Sequence, residues 1–160
     1  MKNRIAGIGL VFAVLALGSC FIDGLPQIVV RGPVSVGEAV APLEGGETIN
    51  FGTVGPNSAT QDLSFTIQNV GTAMLQLIDT NGQYVHVETD DSGGLFSIPT
   101  QPTSDTLDPD DAMTFVLRFT SDGTSNVYTA TIEIRSDAPR DPSLEFTLSA
   151  EASPSAPSAA

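Results

Sequence analysis

Few side chains in this chain of 160 residues could do covalent or acid–base chemistry. There is one cysteine, Cys20, and one histidine, His86, beside 19 aspartates and glutamates. A single cysteine cannot form an internal disulfide, and structural zinc sites need several cysteine or histidine ligands. A Ser-His-Asp triad needs an imidazole between a carboxylate and a nucleophile, and no serine stands in a nucleophile-elbow pattern. The chemistry available is that of one thiol and of many carboxylates.

Cys20 follows a segment with the layout of a secretory signal. Two basic residues open the chain, residues 5–17 carry no charge, and the small residues Gly18 and Ser19 precede the cysteine. This apolar run suits a signal peptide and is too short for a transmembrane helix, which needs about 20 residues. The alternative is an ordinary signal peptide followed by a free thiol.

The cysteine and its flanking residues resemble the lipobox of bacterial lipoproteins. In those proteins the chain is cut before the cysteine, the thiol receives a diacylglyceryl group, and the new amine is usually acylated. The resemblance implies cleavage between Ser19 and Cys20 and lipidation of Cys20 with palmitate-type acyl chains. Two or more such chains attach a protein stably to a membrane, whereas one chain does so only marginally.

His86 belongs to a short alternating segment, Tyr84 to Glu88, which predicts a strand. Val85 and Val87 are apolar, so alternation places His86 on the opposite face, together with Glu88. The sequence therefore predicts that His86 is a water-facing strand residue. It favours neither a catalytic base nor a zinc ligand at this position.

Acidic residues in turns offer oxygen ligands that could bind calcium. Asp79-Thr80-Asn81-Gly82 begins like a calcium-binding loop, in which a flexible segment supplies hard oxygen ligands. An EF-hand loop needs glutamate at its twelfth position, where this chain has Asp90, and no flanking helices are predicted. The default interpretation is that these are solvated turn residues. A calcium site made by Asp79, Asn81 and Asp90 is the open alternative, and no other cofactor besides the covalent lipid is expected.

The charge balance excludes two classes of ligand. The chain has 6 basic and 19 acidic residues, and loss of residues 1–19 would leave 4 basic and 19 acidic groups, a net charge of −15. Such a charge repels nucleic acid and anionic lipid head groups and favours weak binding of cations. Nucleic acid is therefore not an expected partner.

Apolar and polar side chains alternate along most of the body of the chain. The clearest segments are Leu63–Ile67, Phe115–Phe119, Ala130–Ile134 and Leu144–Leu148, and turn residues such as Gly, Pro, Asn and Asp separate them. A period of two indicates strands with one buried and one wet face, and no segment shows a sustained helical stripe. Many short strands with regular turns predict an all-β, antiparallel β-sandwich.

A series of short motifs runs in order through residues 28–152. The motifs are INFGTV at 49–54, FTIQNVGTA at 65–73, FSI at 96–98, QP at 101–102, LDP at 107–109, FVLRF at 115–119 and YTATIEI at 128–134. Together they resemble the bacterial choice-of-anchor D domain, a relative of the ASH, HYDIN and major-sperm-protein group. In the turn before Ala112 that family commonly has a glycine, where this chain has Asp110 and Asp111.

This resemblance implies an immunoglobulin-like antiparallel β-sandwich of about seven to nine strands, with no catalytic residues. Domains of this family are usually modules of surface and secreted bacterial proteins. The expected organisation is a lipoprotein signal peptide at 1–19, a lipidated cysteine and tether at 20–27, the sandwich at 28–152 and a disordered tail at 153–160.

The leading hypothesis is a non-enzymatic lipoprotein of the bacterial cell envelope, anchored in a membrane on its periplasmic or cell-surface side. Its sandwich would bind or adhere to another envelope protein or a glycan. Residues 28–31 are the predicted edge strand, where a partner strand could be added. The alternatives are a structural spacer or subunit of an envelope assembly and, more remotely, a hydrolase acting on envelope glycans.

Overall fold

The computed structural model describes residues 24–33, 42–43, 45–56 and 59–154. The predicted signal peptide, its cleavage site at Ser19 and Cys20, and residues 155–160 lie outside the described residues. Within these limits the chain forms ten strands: β1 Ile28–Arg31, β2 Thr48–Val54, β3 Thr60–Asn69, β4 Leu75–Gln76, β5 Val85–Asp90, β6 Phe96–Thr100, β7 Thr106–Leu107, β8 Ala112–Thr120, β9 Val127–Arg135 and β10 Ser143–Ala152. None of the described residues forms a helix with the length and hydrophobicity that crossing a membrane requires.

Eight of these strands form two four-stranded sheets. The first sheet has the order β1-β3-β8-β6 and the second has the order β2-β10-β9-β5, while β4 and β7 pair separately. The pairs are antiparallel except for β2 and β10, which run parallel. The predicted antiparallel sandwich thus contains one parallel pair, at an edge of the second sheet.

Aromatic rings join the two sheets in the core. The ring of Phe65 on β3 lies 5.8 Å from that of Phe146 on β10, and the ring of Phe51 on β2 lies 5.9 Å from that of Phe96 on β6. Aromatic pairs at such distances stabilise a core beyond the burial of their area. The inward-facing side chains of β3, β8, β9 and β10 are those that the alternation predicted, and nearly all are buried.

Two packed sheets with this interior make an immunoglobulin-like β-sandwich, so the predicted all-β fold class is confirmed. The described residues hold ten strands, where about seven to nine were expected. The strand that was not predicted is β7, which has only two residues and pairs with the equally short β4. So short a strand leaves no alternation in the sequence by which to recognise it.

Hydrogen bonds attach the chain to the sandwich before β1 begins. Val70 N–H donates to the carbonyl of Gln27 at 2.9 Å, and Thr72 N–H donates to the carbonyl of Leu25 at 3.1 Å. Gly24 N–H donates to the hydroxyl of Thr72 at 2.7 Å. The later half of the predicted tether is therefore bonded to the sandwich.

The turn before β8 contains an aspartate in a backbone conformation that glycine adopts most readily. Asp110 has φ 69°, in the left-handed region that glycine favours and that aspartate and asparagine tolerate better than most residues. Its N–H donates to the carbonyl of Asn69 at 2.9 Å, and Asn69 N–H donates to the carbonyl of Asp111 at 3.0 Å. The turn thereby holds the end of β3 against the start of β8.

Three of the four edge strands carry features that limit pairing with another chain. At β1, which lies at the predicted edge, Leu43 N–H donates to the carbonyl of Val30 at 2.7 Å. At β5, the side-chain amide of Gln101 bonds both backbone groups of Val85, at 3.1 and 2.7 Å. The edge strand β6 contains Pro99, which has no N–H to donate.

Candidate functional site

One cluster of titratable side chains lies on the outer face of the second sheet. His86 on β5 is directly opposite Glu133 on β9. The register shifts between Val87 and Thr89, so Glu88 is the additional residue of a β-bulge, a feature that re-aims side chains. The candidate ligand atoms of His86, Glu88 and Glu133 all lie within 4.8 Å of one another, and no other such group of three occurs among the described residues.

The imidazole of His86 faces two carboxylates. Its Nε2 atom lies 2.9 Å from Oε2 of Glu133 and 3.4 Å from Oε2 of Glu88. The shorter contact has the distance of an ion pair but lacks the direction of a hydrogen bond, and neither ring nitrogen has a hydrogen-bond partner within the described structure. Because burial of a polar group without a partner costs free energy, His86 stands out chemically in this fold.

The prediction that His86 is a water-facing residue was wrong. The residue is only 8% exposed, although alternation does place it on the outer face of its sheet. Alternation predicts the face to which a side chain points, but it says nothing about neighbours that cover it. Here the carboxylates from β9 and from the bulge lie against the ring.

Hydrogen bonding orients the carboxylate of Glu133. Ser143 Oγ donates to its Oε1 at 2.6 Å, and Arg135 Nε lies 3.8 Å from the same oxygen. The Ser143 hydrogen bond is the main cause that lowers the pKa of Glu133; partial burial opposes it, and His86 and Arg135 add to the lowering. Glu133 is therefore held ionised, with Oε2 towards His86.

The order of these contacts differs from that of a hydrolytic triad. Such a triad places the imidazole between the nucleophile and the carboxylate, so that the imidazole can take the proton of the nucleophile. Here the carboxylate of Glu133 lies between Ser143 and His86. The arrangement therefore binds the serine proton to a carboxylate whose pKa is lowered, which does not activate Ser143 as a nucleophile.

The cluster instead has the electrostatics of a cation site. A lone pair on Nε2 would face two negative carboxylates, so a positive charge between these atoms would be stabilised. A proton on Nε2 supplies one such charge and a divalent metal ion supplies another. Imidazole nitrogen and carboxylate oxygen are both normal zinc ligands.

The predicted calcium ligands lie elsewhere. Asp79 accepts hydrogen bonds from the backbone N–H groups of residues 82–83, and Asp90 accepts them from the N–H groups of Ser92 and Gly94. Asn81, with φ 54°, occupies the turn after Asp79. Both carboxylates therefore close their own turns, and neither belongs to the His86 cluster. Calcium binding at Asp79, Asn81 and Asp90 stays a prediction.

Sequence reasoning did not single out Glu133. The alternating pattern from Ala130 to Ile134 places Glu133 on the outer face of its strand, and His86 and Glu88 share a face two residues apart. What brings them together is the register between β5 and β9. No local motif of this sequence specifies that register.

No protein-family model and no curated protein sequence matches this chain. Solved structures with a similar fold include the ASH/PapD-like domain 7 of human CEP192, which is 18% identical; the alignment covers 77% of this chain and 99% of that domain, with a TM-score of 0.49. A protein of unknown function from Porphyromonas gingivalis W83 is 17% identical over 79% of this chain and 63% of its own, with a TM-score of 0.49. The secreted serine protease VesC from Vibrio cholerae is 19% identical over 68% of this chain and 22% of its own, with a TM-score of 0.47.

The class of protein is given by the architecture itself, an immunoglobulin-like β-sandwich. Its distinguishing local feature is a buried histidine held against two glutamates on one outer face.

Proposed function

We propose that this protein is a non-enzymatic, lipid-anchored binding module of a bacterial cell envelope, of the kind that its resemblance to the choice-of-anchor D domain implies. Its partner is a second envelope protein that presents a cationic surface. The observation that carries the proposal is the concentration of glutamates on the outer face of the second sheet.

The two outer faces differ in charge. On the second sheet, four glutamates point outward against a single arginine, Arg135; they are Glu88, Glu133, Glu145 and Glu151. On the first sheet, Asp62 and Arg118 form a bidentate pair, with both nitrogen–oxygen distances at 2.7 Å. Of the two outer sheet faces, that of the second sheet therefore carries uncompensated negative charge, and a cationic partner would be steered there.

The proposed anchor would hold the sandwich close to the membrane. Gly24 is already bonded to the sandwich, so only residues 21–23 lie between it and Cys20. A chain of this length spans at most ~14 Å between Cys20 and Gly24. Because anionic lipid head groups repel carboxylates, the acidic face would be left available to a protein partner.

Neutralising two glutamates of the acidic face tests the proposal. The full-length protein would be expressed in its native organism and cross-linked to neighbouring molecules of the cell envelope. The cross-linked products would be identified by mass spectrometry. Glu145→Gln combined with Glu151→Gln should abolish the main protein cross-link. Asp105→Asn combined with Asp108→Asn changes the charge equally at exposed residues on another part of the surface and should leave the cross-link intact.

Equal cross-linking in both double variants would overturn binding through the acidic face and would favour a spacer. Capture of a glycan instead of a protein would replace the stated partner. The anchor is tested separately by mass spectrometry of the mature amino terminus, where an unmodified Cys20 would refute lipidation.

A further inference from the structure

We propose that His86, Glu88 and Glu133 form a binding site for a divalent transition metal ion, with zinc as the expected ion. This inference goes beyond the binding role proposed above and does not depend on the anchor or on a partner. Two independent observations support it: three ligand atoms converge, and a buried imidazole has no hydrogen-bond partner among the described residues.

The distances between the ligand atoms would have to change only slightly for zinc to bind. Zinc bonds to nitrogen and oxygen are about 2.1 Å long, so two ligands of a tetrahedral site lie ~3.4 Å apart. Nε2 of His86 and Oε2 of Glu88 are already 3.4 Å apart. The 2.9 Å between Nε2 and Oε2 of Glu133 would have to lengthen by ~0.5 Å.

The two glutamates differ in their freedom to move, so the ligand atoms can adjust while the cluster stays together. The side chain of Glu88 is 55% exposed and can adjust from its bulge, whereas that of Glu133 is 15% exposed and held by Ser143. A hydrogen bond from a neighbour to a ligating carboxylate orients it, as zinc sites commonly require. With three protein ligands, a tetrahedral zinc ion would take water as its fourth ligand.

The ligand set selects the kind of ion. One imidazole nitrogen with two carboxylates suits zinc and its transition-metal neighbours, while calcium takes six to eight oxygen ligands. Two ionised carboxylates and a neutral imidazole also neutralise a doubly charged ion.

The test is a titration of the purified full-length protein with ZnCl₂, followed by calorimetry, and with CoCl₂, followed by its visible absorption bands. The wild type should bind one ion per chain. His86→Gln and Glu133→Gln should each weaken zinc binding by at least ~10-fold. Glu145→Gln is the matched control, since Glu145 lies opposite Glu133 on β10 and points the same way without joining the cluster.

His86→Cys keeps a zinc ligand at this position, so it should retain binding and add a thiolate-to-metal band to the cobalt spectrum. Circular dichroism of every variant checks that the sandwich is intact. Absence of saturable zinc binding in the wild type would overturn the proposal, and so would equal losses in Glu145→Gln and Glu133→Gln. Binding that survives His86→Gln in a folded protein would place the metal elsewhere and would equally refute it.

Discussion

Nε2 of His86 and Oε2 of Glu133 lie 2.9 Å apart, on neighbouring strands whose register sets the two residues directly opposite each other. Both side chains point out of the sheet, yet they are only 10% and 15% exposed. An electrostatic contact between a carboxylate and an imidazole with so little water around it is screened less than an exposed one. This contact joins the edge strand β5 to the centre of its sheet by a side-chain interaction as well as by backbone hydrogen bonds.

Asn69→Ala should be one of the most destabilising polar substitutions. Asn69 is 0% exposed; its amide donates to the carbonyls of Ala73 and Leu107, at 2.8 and 3.0 Å, and its Oδ1 accepts from Gly71 N–H at 3.0 Å. Removing it leaves buried groups unpaired and should lower the free energy of unfolding by about 2–4 kcal/mol in urea denaturation. Asn50→Ala, which removes one exposed hydrogen bond to Gly52, is the control and should cost about 1 kcal/mol or less.

Gly71→Ala should detach the start of the chain from the sandwich. A Cβ atom at this position would lie 2.4 Å from the carbonyl oxygen of Leu25 and 2.5 Å from the nitrogen of Gln27, and backbone atoms cannot give way as a side chain would. Such overpacking should cost about 1–3 kcal/mol and speed hydrogen exchange at Val70 and Thr72. Gly55→Ala meets only an ordinary contact at 3.6 Å, so unchanged exchange at Thr72 is expected there.

Phe65→Ala should show how far the core depends on the aromatic contact between the sheets. Phe65 is fully buried, 5.3 Å from the ring of Phe115 and 5.8 Å from that of Phe146. The loss of buried area and the remaining cavity should lower the free energy of unfolding by about 3–5 kcal/mol. Val127→Ala, at a side chain that is 63% exposed, should change it by no more than ~0.5 kcal/mol.

Asp62→Asn should slightly lower the melting temperature at neutral pH, on the order of 2 °C. The hydrogen bond from Arg118 lowers the pKa of Asp62 in the folded protein, so the pair stabilises the fold above the unfolded-state pKa. This contribution should disappear as the pH falls through the lowered folded-state pKa, and wild type and variant should then melt alike. Because both side chains are over one third exposed, molar salt should also remove the difference. A difference that persists in acid would contradict this account.

The strand content and most of the core were predictable because both follow from local alternation. Phe65, Phe115, Ile132 and Phe146 are buried where a period of two placed them. The turn at Asp110 lies between predicted strands, and its aspartate adopts a left-handed conformation that this residue type tolerates better than most. A choice among local conformations is made by each residue and its chain neighbours, so it can be recognised without the fold.

The amino-acid sequence alone determined the all-β class, the acidic character and the inward face of each long strand, since these depend on composition and on neighbours along the chain. Tertiary structure alone decided the pairing of β2 with β10 in parallel, the attachment of Gly24 through Gln27 to a distant turn, and the meeting of His86 with Glu133. The physical reason is that strand register and lateral order are set by packing of the whole sandwich. A two-residue shift between β5 and β9 would keep every inward side chain inward, yet it would separate the histidine from its carboxylate.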